Sequence, residues 1–348
     1  MHGFAFFVAV RVILPDPANL QHMAFWVARG AGLFAREGVD VTLAVPSSPG
    51  GVYQMVLRDD AEAAVLPPPV YLDLISQHAP IRLVANLLRN EPANLVVRRA
   101  AVKASPDAPL GERLRALAGM KIGVAPGPVG RLRALFASEG LVADDVAQLV
   151  SVPGPEQNDA FAKGRVDALF AHTPYLEKAL LEQDAVMLVH TSSGVPAQLA
   201  SRQIHALCVR NAWAESHASE VVALVRALAA AEDLIHRDQH AAVEAILHEF
   251  PNRDRAQVER IVAIYEPAIP TTPRVSIDGI RGALAMFPAS RTPPDLSGID
   301  LKVYVENPAP RRWRISTLVA ASILAILVGI LSVRIRRGSR PRKIVSSG

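Results

Sequence analysis

Leu33-Phe34-Ala35-Arg36-Glu37-Gly38-Val39 returns later in the chain as Leu135-Phe136-Ala137-Ser138-Glu139-Gly140-Leu141. Each copy closes a helix-like pattern on a glycine and leads into a strand-like run, residues 39–45 in the first and 147–152 in the second. A second echo follows each of them, Glu62-Ala63-Ala64-Val65-Leu66 against Asp167-Ala168-Leu169-Phe170. An approximate duplication of a strand–helix–strand unit predicts two similar α/β lobes with a cleft between them, the usual place for a small molecule.

The chain has 348 residues, more than one hydrophobic core usually supports, so about two domains are expected. Half of the residues are hydrophobic and 20% are charged, a globular rather than a disordered balance. The net charge of +4 misleads. Nine cationic residues and no acidic one follow Pro310, which leaves 28 Lys and Arg against 33 Asp and Glu in the rest. A slightly acidic body gives no basis for nucleic-acid binding. Cys208 is the single cysteine, lies in a strand-like run and has no partner for an internal disulfide.

Residues 8–14 read as the first strand and 19–36 as a helix closed by Gly38. Further strands are expected at 39–45, 63–66, 81–88 and 94–98, so that lobe 1 holds residues 1–100 and 205–287. The polar, proline-containing stretch 103–112 is the expected crossing into lobe 2, residues 101–204, with strands at 121–124, 148–152, 168–171 and 186–190. Residues 204–209 return to lobe 1, and helical patterns follow at 218–236, 240–249 and 253–265. The alternation predicts mainly parallel sheets. Residues 288–314 read as a proline-rich linker.

Residues 315–333 carry no charge and approach the ~20 that a helix needs to cross a bilayer. Arg311, Arg312, Trp313 and Arg314 precede them, and the basic tail 334–348 follows, so a single transmembrane anchor in the lipid bilayer is expected. Three cations flank it on the amino side and six on the carboxyl side. The positive-inside bias then places the tail in the cytoplasm and the large domain in the periplasm of a bacterial inner membrane. No signal sequence is visible at the amino end, and an upstream start is the favoured explanation. Thr317, Ala321, Ala325 and Gly329 form a small-residue face along which a helix of a membrane partner could pack.

The body resembles the solute-binding proteins of nitrate, sulfonate, taurine and thiamine-pyrimidine importers over roughly residues 10–305. The resemblance rests on Ala28-Arg29-Gly30-Ala31-Gly32-Leu33-Phe34-Ala35-Arg36-Glu37-Gly38-Val39-Asp40-Val41, on Leu117-Ala118-Gly119-Met120-Lys121-Ile122-Gly123-Val124, and on Ala162-Lys163-Gly164-Arg165-Val166-Asp167-Ala168 followed by Pro174-Tyr175. It implies a two-lobed periplasmic-binding-protein type II clamshell. Such a protein captures a small-molecule solute between its lobes and hands it to an ATP-driven membrane permease.

In open α/β sheets ligands lie beyond the carboxyl ends of the strands, which selects four loops and one further candidate. They supply Asn19, Gln21 and His22; Ser47 and Ser48; Pro68 and Tyr71; Gly127 and Val129; and Thr173 and Tyr175 as candidate ligand-binding residues. Each loop reads equally as an ordinary surface turn. Proline and glycine dominate three of them where oxyanion-binding relatives offer serine and threonine. A planar organic ligand stacked on Tyr71, Trp26 or Tyr175 fits that departure.

Other signals are set aside. His236 and His240 share a helix face but lack a third ligand, so a solvated face is expected rather than a metal site. No catalytic residue, cofactor or nucleophile–base pair is identifiable, and the cysteine-rich motif of the related pyrimidine-synthesising enzymes is absent. The chain therefore reads as a membrane-anchored binding protein and not an enzyme. The rival is a binding-protein fold serving as a tethered accessory or scaffold subunit of another integral membrane complex.

Overall fold

Two five-stranded sheets carry the architecture, and their strand orders are one pattern written twice. The computed structural model describes residues 8–16, 19–46, 51–58, 60–287 and 290–308. Its strands are β1 (Val8–Ile13), β2 (Val39–Ala44), β3 (Ala63–Leu66), β4 (Ile81–Leu88) and β5 (Asn94–Arg98). They continue with β6 (Lys121–Val124), β7 (Gln148–Ser151), β8 (Ala168–Ala171), β9 (Ala185–Val189) and β10 (His205–Arg210). One sheet runs β2-β1-β3-β10-β4 and the other β7-β6-β8-β5-β9.

In the first sheet β1 is parallel to β2 and β3, and in the second β6 is parallel to β7 and β8. Each trio is then closed by a strand that enters from the other lobe and runs antiparallel: β10 against β3 and β4, and β5 against β8 and β9. The expected two-lobed α/β duplication is borne out. The expected mainly parallel sheets are corrected to two mixed ones.

The repeated phrase has a backbone cause. Gly38 and Gly140 both have positive φ, 82° and 68°, and each donates its N–H to an alanine carbonyl three residues earlier, Ala35 and Ala137, at 3.0 Å. A left-handed residue is the common way to end a helix, and glycine adopts it without a Cβ penalty. In the first copy that stop leads directly into edge strand β2; in the second a short helix, Ala143–Val146, comes before edge strand β7. The middle strand of each sheet, β3 and β8, is buried at every residue, as expected of a strand covered on both faces.

Several boundaries differ from the sequence expectation. The single helix expected over 19–36 is a 3-10 turn, Leu20–His22, followed by helices Met23–Gly30 and Leu33–Arg36. The expected crossing at 103–112 lies earlier, because β5 already belongs to the second sheet; the chain crosses at 89–93 and returns at 200–204. The proline-rich stretch is not all linker. Leu296, Leu301 and Tyr304 are buried, Glu306 N donates to Leu83 O at 3.0 Å, and Arg82 pairs with Glu306 at 3.0 Å. Lobe 1 therefore extends past residue 287. Among the described residues no helix is long and apolar enough to cross a membrane. The expected membrane segment, its face Thr317, Ala321, Ala325 and Gly329, and the basic tail lie outside the described residues, as do Ser47 and Ser48.

Helices Met23–Gly30, Ala218–Arg237 and Gln239–Glu249 (the last two meeting the expected helical patterns) pack together in lobe 1. Trp26 is 1% exposed there, with ring centroids 5.6 Å from Phe25 and 4.8 Å from Phe250. It is core and takes no part in the cleft, a correction to its candidacy as a stacking platform. At the crossing with Gln239–Glu249, a Cβ on Gly30 would lie 1.9 Å from the Ala245 carbonyl oxygen. Backbone cannot yield as a flexible side chain does. Gly30→Ala is predicted to lower the unfolding free energy by about 1–3 kcal/mol, measured by urea denaturation.

Candidate functional site

Both crossings are short polar segments fixed in a buried hydrogen-bond network. Asn90, at φ 72°, donates from Nδ2 to Ser192 O at 2.9 Å and accepts at Oδ1 from Ser201 N of the return crossing at 3.0 Å. The Tyr265 hydroxyl donates to Pro92 O and accepts from Thr173 N, both at 2.9 Å, tying the second lobe to the first crossing. Glu91 has no exposure; its Oε1 accepts from Ala93 N at 3.1 Å and Arg131 Nε at 3.0 Å. Arg202 Nη1 lies 4.0 Å from its other oxygen. A guanidinium from each side thus converges on one carboxylate, the condition under which a charge is tolerated away from water.

A cavity of about 280 Å³ opens beside this network, between the strand ends of both lobes. Lobe 1 contributes Asn19, Gln21, Pro67, Pro68, Pro69 and Met286, and lobe 2 contributes Gly127, Arg131 and His172. The crossings add Pro92 and Ile204, and β10 adds His205. A larger groove of about 680 Å³ on lobe 1 is lined by helix side chains such as Asp233, Arg237 and Glu244 that already pair with neighbours. The interlobe cavity has the convergent polar groups and the apolar walls of a ligand site.

Of the sequence candidates, Asn19, Gln21, Pro68 and Gly127 line this cavity. His22 stands behind it, 2% exposed, its ring edge-on to His205 with centroids 4.6 Å apart. Thr173 is fully buried, and its amide is the group bound by Tyr265. Tyr175 is half-buried, 5.8 Å from the His172 ring, and packs so tightly on Gly154 that a Cβ there would sit 2.5 Å away. Val129 is half-buried against the core of lobe 2. Tyr71 does not face the cleft: it is 0% exposed and its hydroxyl donates to Gln203 O at 2.5 Å. The solvated face expected of His236 and His240 holds for His240 alone, since His236 is bonded to Glu266 and to the Pro270 carbonyl.

Sequence reasoning missed Arg131, Glu91, Pro92, His205, Ile204 and Met286. Arg131 directly follows the Gly127-Pro128-Val129-Gly130 loop and was within reach of that argument. Glu91 and Met286 carry no local signal, because their place depends on which chain segments meet.

The imidazoles of the site are neutral. Burial lowers His22 to about 4, holds His205 well below the ordinary histidine range, and lowers His172 as well. Hydrogen bonding then assigns their tautomers. His172 Nδ1 lies 2.6 Å from Thr173 O, which only accepts, so Nδ1 carries the proton and Nε2 offers a lone pair. His205 Nε2 faces Gln21 Oε1 at 3.1 Å, which leaves Nδ1 as a buried acceptor without a partner among the described residues. Gln21 keeps its amide hydrogens, and Asn19, whose Oδ1 accepts from Gln21 N at 2.9 Å, keeps its own. The cavity is therefore lined by donors from Asn19, Gln21 and Arg131 and by the neutral rings of His172 and His205, with the Nδ1 atom of His205 itself closed off from solvent. Cys208 takes no part: it is buried inside the first sheet, and burial pushes its thiol well above the ordinary range, against a nucleophilic thiolate.

A family model described as NMT1/THI5 like matches residues 19–242. Comparison with curated protein sequences gives no match. Among solved structures, a Bordetella bronchiseptica RB50 protein superposes with a TM-score of 0.62 at 20% identity, over 87% of this chain and 96% of that one. The alkanesulfonate-binding protein SsuA from Xanthomonas axonopodis pv. citri, bound to MOPS, gives 0.59 at 17% identity over 86% and 98%. The desulfurization enzyme DSZB gives 0.55 at 18% identity over 80% and 90%. At such identities the likeness establishes the type II periplasmic-binding fold, which binding proteins and at least one enzyme share.

Two outcomes follow from the site's charges. Arg131→Met leaves Glu91 short of a counter-charge and is predicted to destabilise by about 3–5 kcal/mol, with most of that recovered in Glu91→Gln/Arg131→Met, measured as a double-mutant cycle of urea unfolding. His22 has a folded value below its unfolded value of 6.5, so its contribution is fully present above pH 6.5 and is lost as pH falls toward about 4. His22→Gln is predicted to remove about 1.4 kcal/mol per pH unit from the slope of stability in that window.

Proposed function

The chain belongs to the NMT1/THI5-like family, and from that premise we propose that it is the solute-binding protein of an ATP-driven importer. Its ligand is a small organic solute with one acceptor-rich or anionic end and at least one N–H or O–H donor. The observation that supports this reading is the mixed polarity of the interlobe cavity, whose lining brings Arg131 and the side-chain amides of Asn19 and Gln21 together with the neutral rings of His172 and His205. A bare oxyanion offers only acceptors and would give the His172 Nε2 lone pair no donor, at a cost typical of polar groups without partners. The prolines 67–69 and 92, with Ile204 and Met286, supply apolar walls suited to a flat heterocycle.

Contacts from two lobes bind the closed state better than the open one, which turns occupancy into a shape that a permease can read. An anchor at 315–333 would hold the capture domain beside that permease, with the body outside and the tail in the cytoplasm. Lysine, aspartate and cysteine chemistry is not required in this role, and the reading is of a binder rather than a catalyst.

Thermal melts of the full-length protein against aminopyrimidines, other N–H heterocyclic acids, alkanesulfonates, nitrate and sulfate test the proposal. At 100 times its dissociation constant a true ligand adds about 2.7 kcal/mol of stability. The expected hits carry an N–H donor, and Gln21→Ala weakens them at least tenfold. Saturable binding of nitrate or a simple sulfonate, with no heterocycle binding, would overturn the ligand class. Stable co-purification with an unrelated membrane complex, and no solute response, would favour the scaffold role.

A further inference from the structure

A second cavity, of about 210 Å³, lies against both crossing segments and has no place in the function proposed above. Three arginines line it, Arg89 from the first crossing, Arg202 from the return crossing and Arg274 from the segment that follows Tyr265. Thr271 and Thr272 add hydroxyls beside Arg274, and Gln203 forms part of the wall. That last segment is held onto both crossings: Asn86 N donates to Pro273 O at 2.8 Å, Arg89 N to Ala268 O at 2.8 Å, and Gln203 N to Gly279 O at 3.0 Å. The cavity is therefore a built feature of the hinge and not a gap between loosely placed loops.

Its charges are incompletely matched. Among the described residues no carboxylate lines it. Arg202 shares Glu91 with Arg131, and the acidic group nearest in charge to Arg89 is Glu232, which burial pushes well above the ordinary carboxylate range despite Arg89, while Arg274 is exposed and makes no ion pair with another described residue. Arg89, Arg131 and Arg202 thus have two acidic groups between them, and Arg274 has none. Two buried atoms in the wall residues also lack partners among the described residues: Arg89 Nε, a donor, and Gln203 Oε1, an acceptor. The Gln203 amide cannot simply be turned over, because its Nε2 donates to His205 O at 3.2 Å.

We propose that this hinge cavity binds a phosphate group, as inorganic hydrogen phosphate or as the phosphate of a small metabolite. A dianion supplies acceptors for Arg89 Nε, Arg274 and the threonine hydroxyls, and adds opposite charge beside Arg202, whose own Nη2 already donates to Gln198 O at 3.0 Å. The single P–OH of hydrogen phosphate supplies the donor that Gln203 Oε1 lacks, which sulfate cannot do. An occupant touching both crossings and the segment strapped to them resists their relative movement, so it stiffens the hinge on which the lobes turn.

Isothermal titration of the full-length protein with inorganic phosphate, at ionic strength held constant with chloride, tests this. The expected result is saturable one-to-one binding, tighter for phosphate than for sulfate, and about tenfold to hundredfold weaker in Arg274→Gln. Arg274 is exposed, so that variant folds; Thr272→Val offers a second exposed change that should weaken binding in the same direction. Gln21→Ala, on the cleft side, should leave phosphate binding unchanged. Absence of saturable heat, equal binding in the Arg274→Gln/Thr272→Val double variant, or loss on Gln21→Ala would each overturn the assignment, the last by placing the anion in the interlobe cleft.

Discussion

Glu91 is a carboxylate without exposure to water, placed where the chain first passes between the lobes. A buried charge is tolerated only where opposite charge and hydrogen-bond donors are already fixed around it. Here Arg131 reaches it from lobe 2, Arg202 approaches from the return crossing, and the Ala93 amide donates from its own segment. These partners come from three separate parts of the chain, so none can shift far without stranding the charge. The two crossings, the loop before helix Val129–Ala137, and the wall of the interlobe cavity are therefore one coupled unit.

This coupling confines hinge motion to what the network leaves free. Asn90 and Ser201 both sit at positive φ, 72° and 55°, one in each crossing, and Ser201 N is bonded to the Asn90 side chain. Asparagine accepts that conformation more readily than most residues. The arginine that holds the carboxylate also lines the cavity, so the residue securing the hinge is a residue a ligand meets.

The repeat was legible because it has a local cause. A glycine at positive φ after each helix leaves a mark that any reading of the sequence finds, and the loops beyond the parallel strands follow from the sheet rule. Asn19, Gln21, Pro68 and Gly127 were reachable in that way. The allocation of β5 was not: an apolar run such as Asn94–Arg98 reads as a strand whichever sheet receives it, and the difference lies in partners distant in the sequence. Tyr71 and Trp26 mislead for a related reason, since an aromatic near a predicted loop looks the same whether it faces a cleft or the core. Proline density hid the packing of Leu296, Leu301 and Tyr304, because it signals a linker even where a few apolar side chains fix the segment to a sheet edge.

Hydrogen–deuterium exchange of the full-length protein, with and without a saturating solute that raises its melting temperature, tests the cleft most directly. The account predicts slowed exchange at the amides around Asn19–Gln21, Pro69–Tyr71, Gly127–Arg131 and His172–Thr173 together, because a solute between the lobes must touch both. Protection confined to one lobe, or to the helices that line the outer groove of lobe 1, would contradict it.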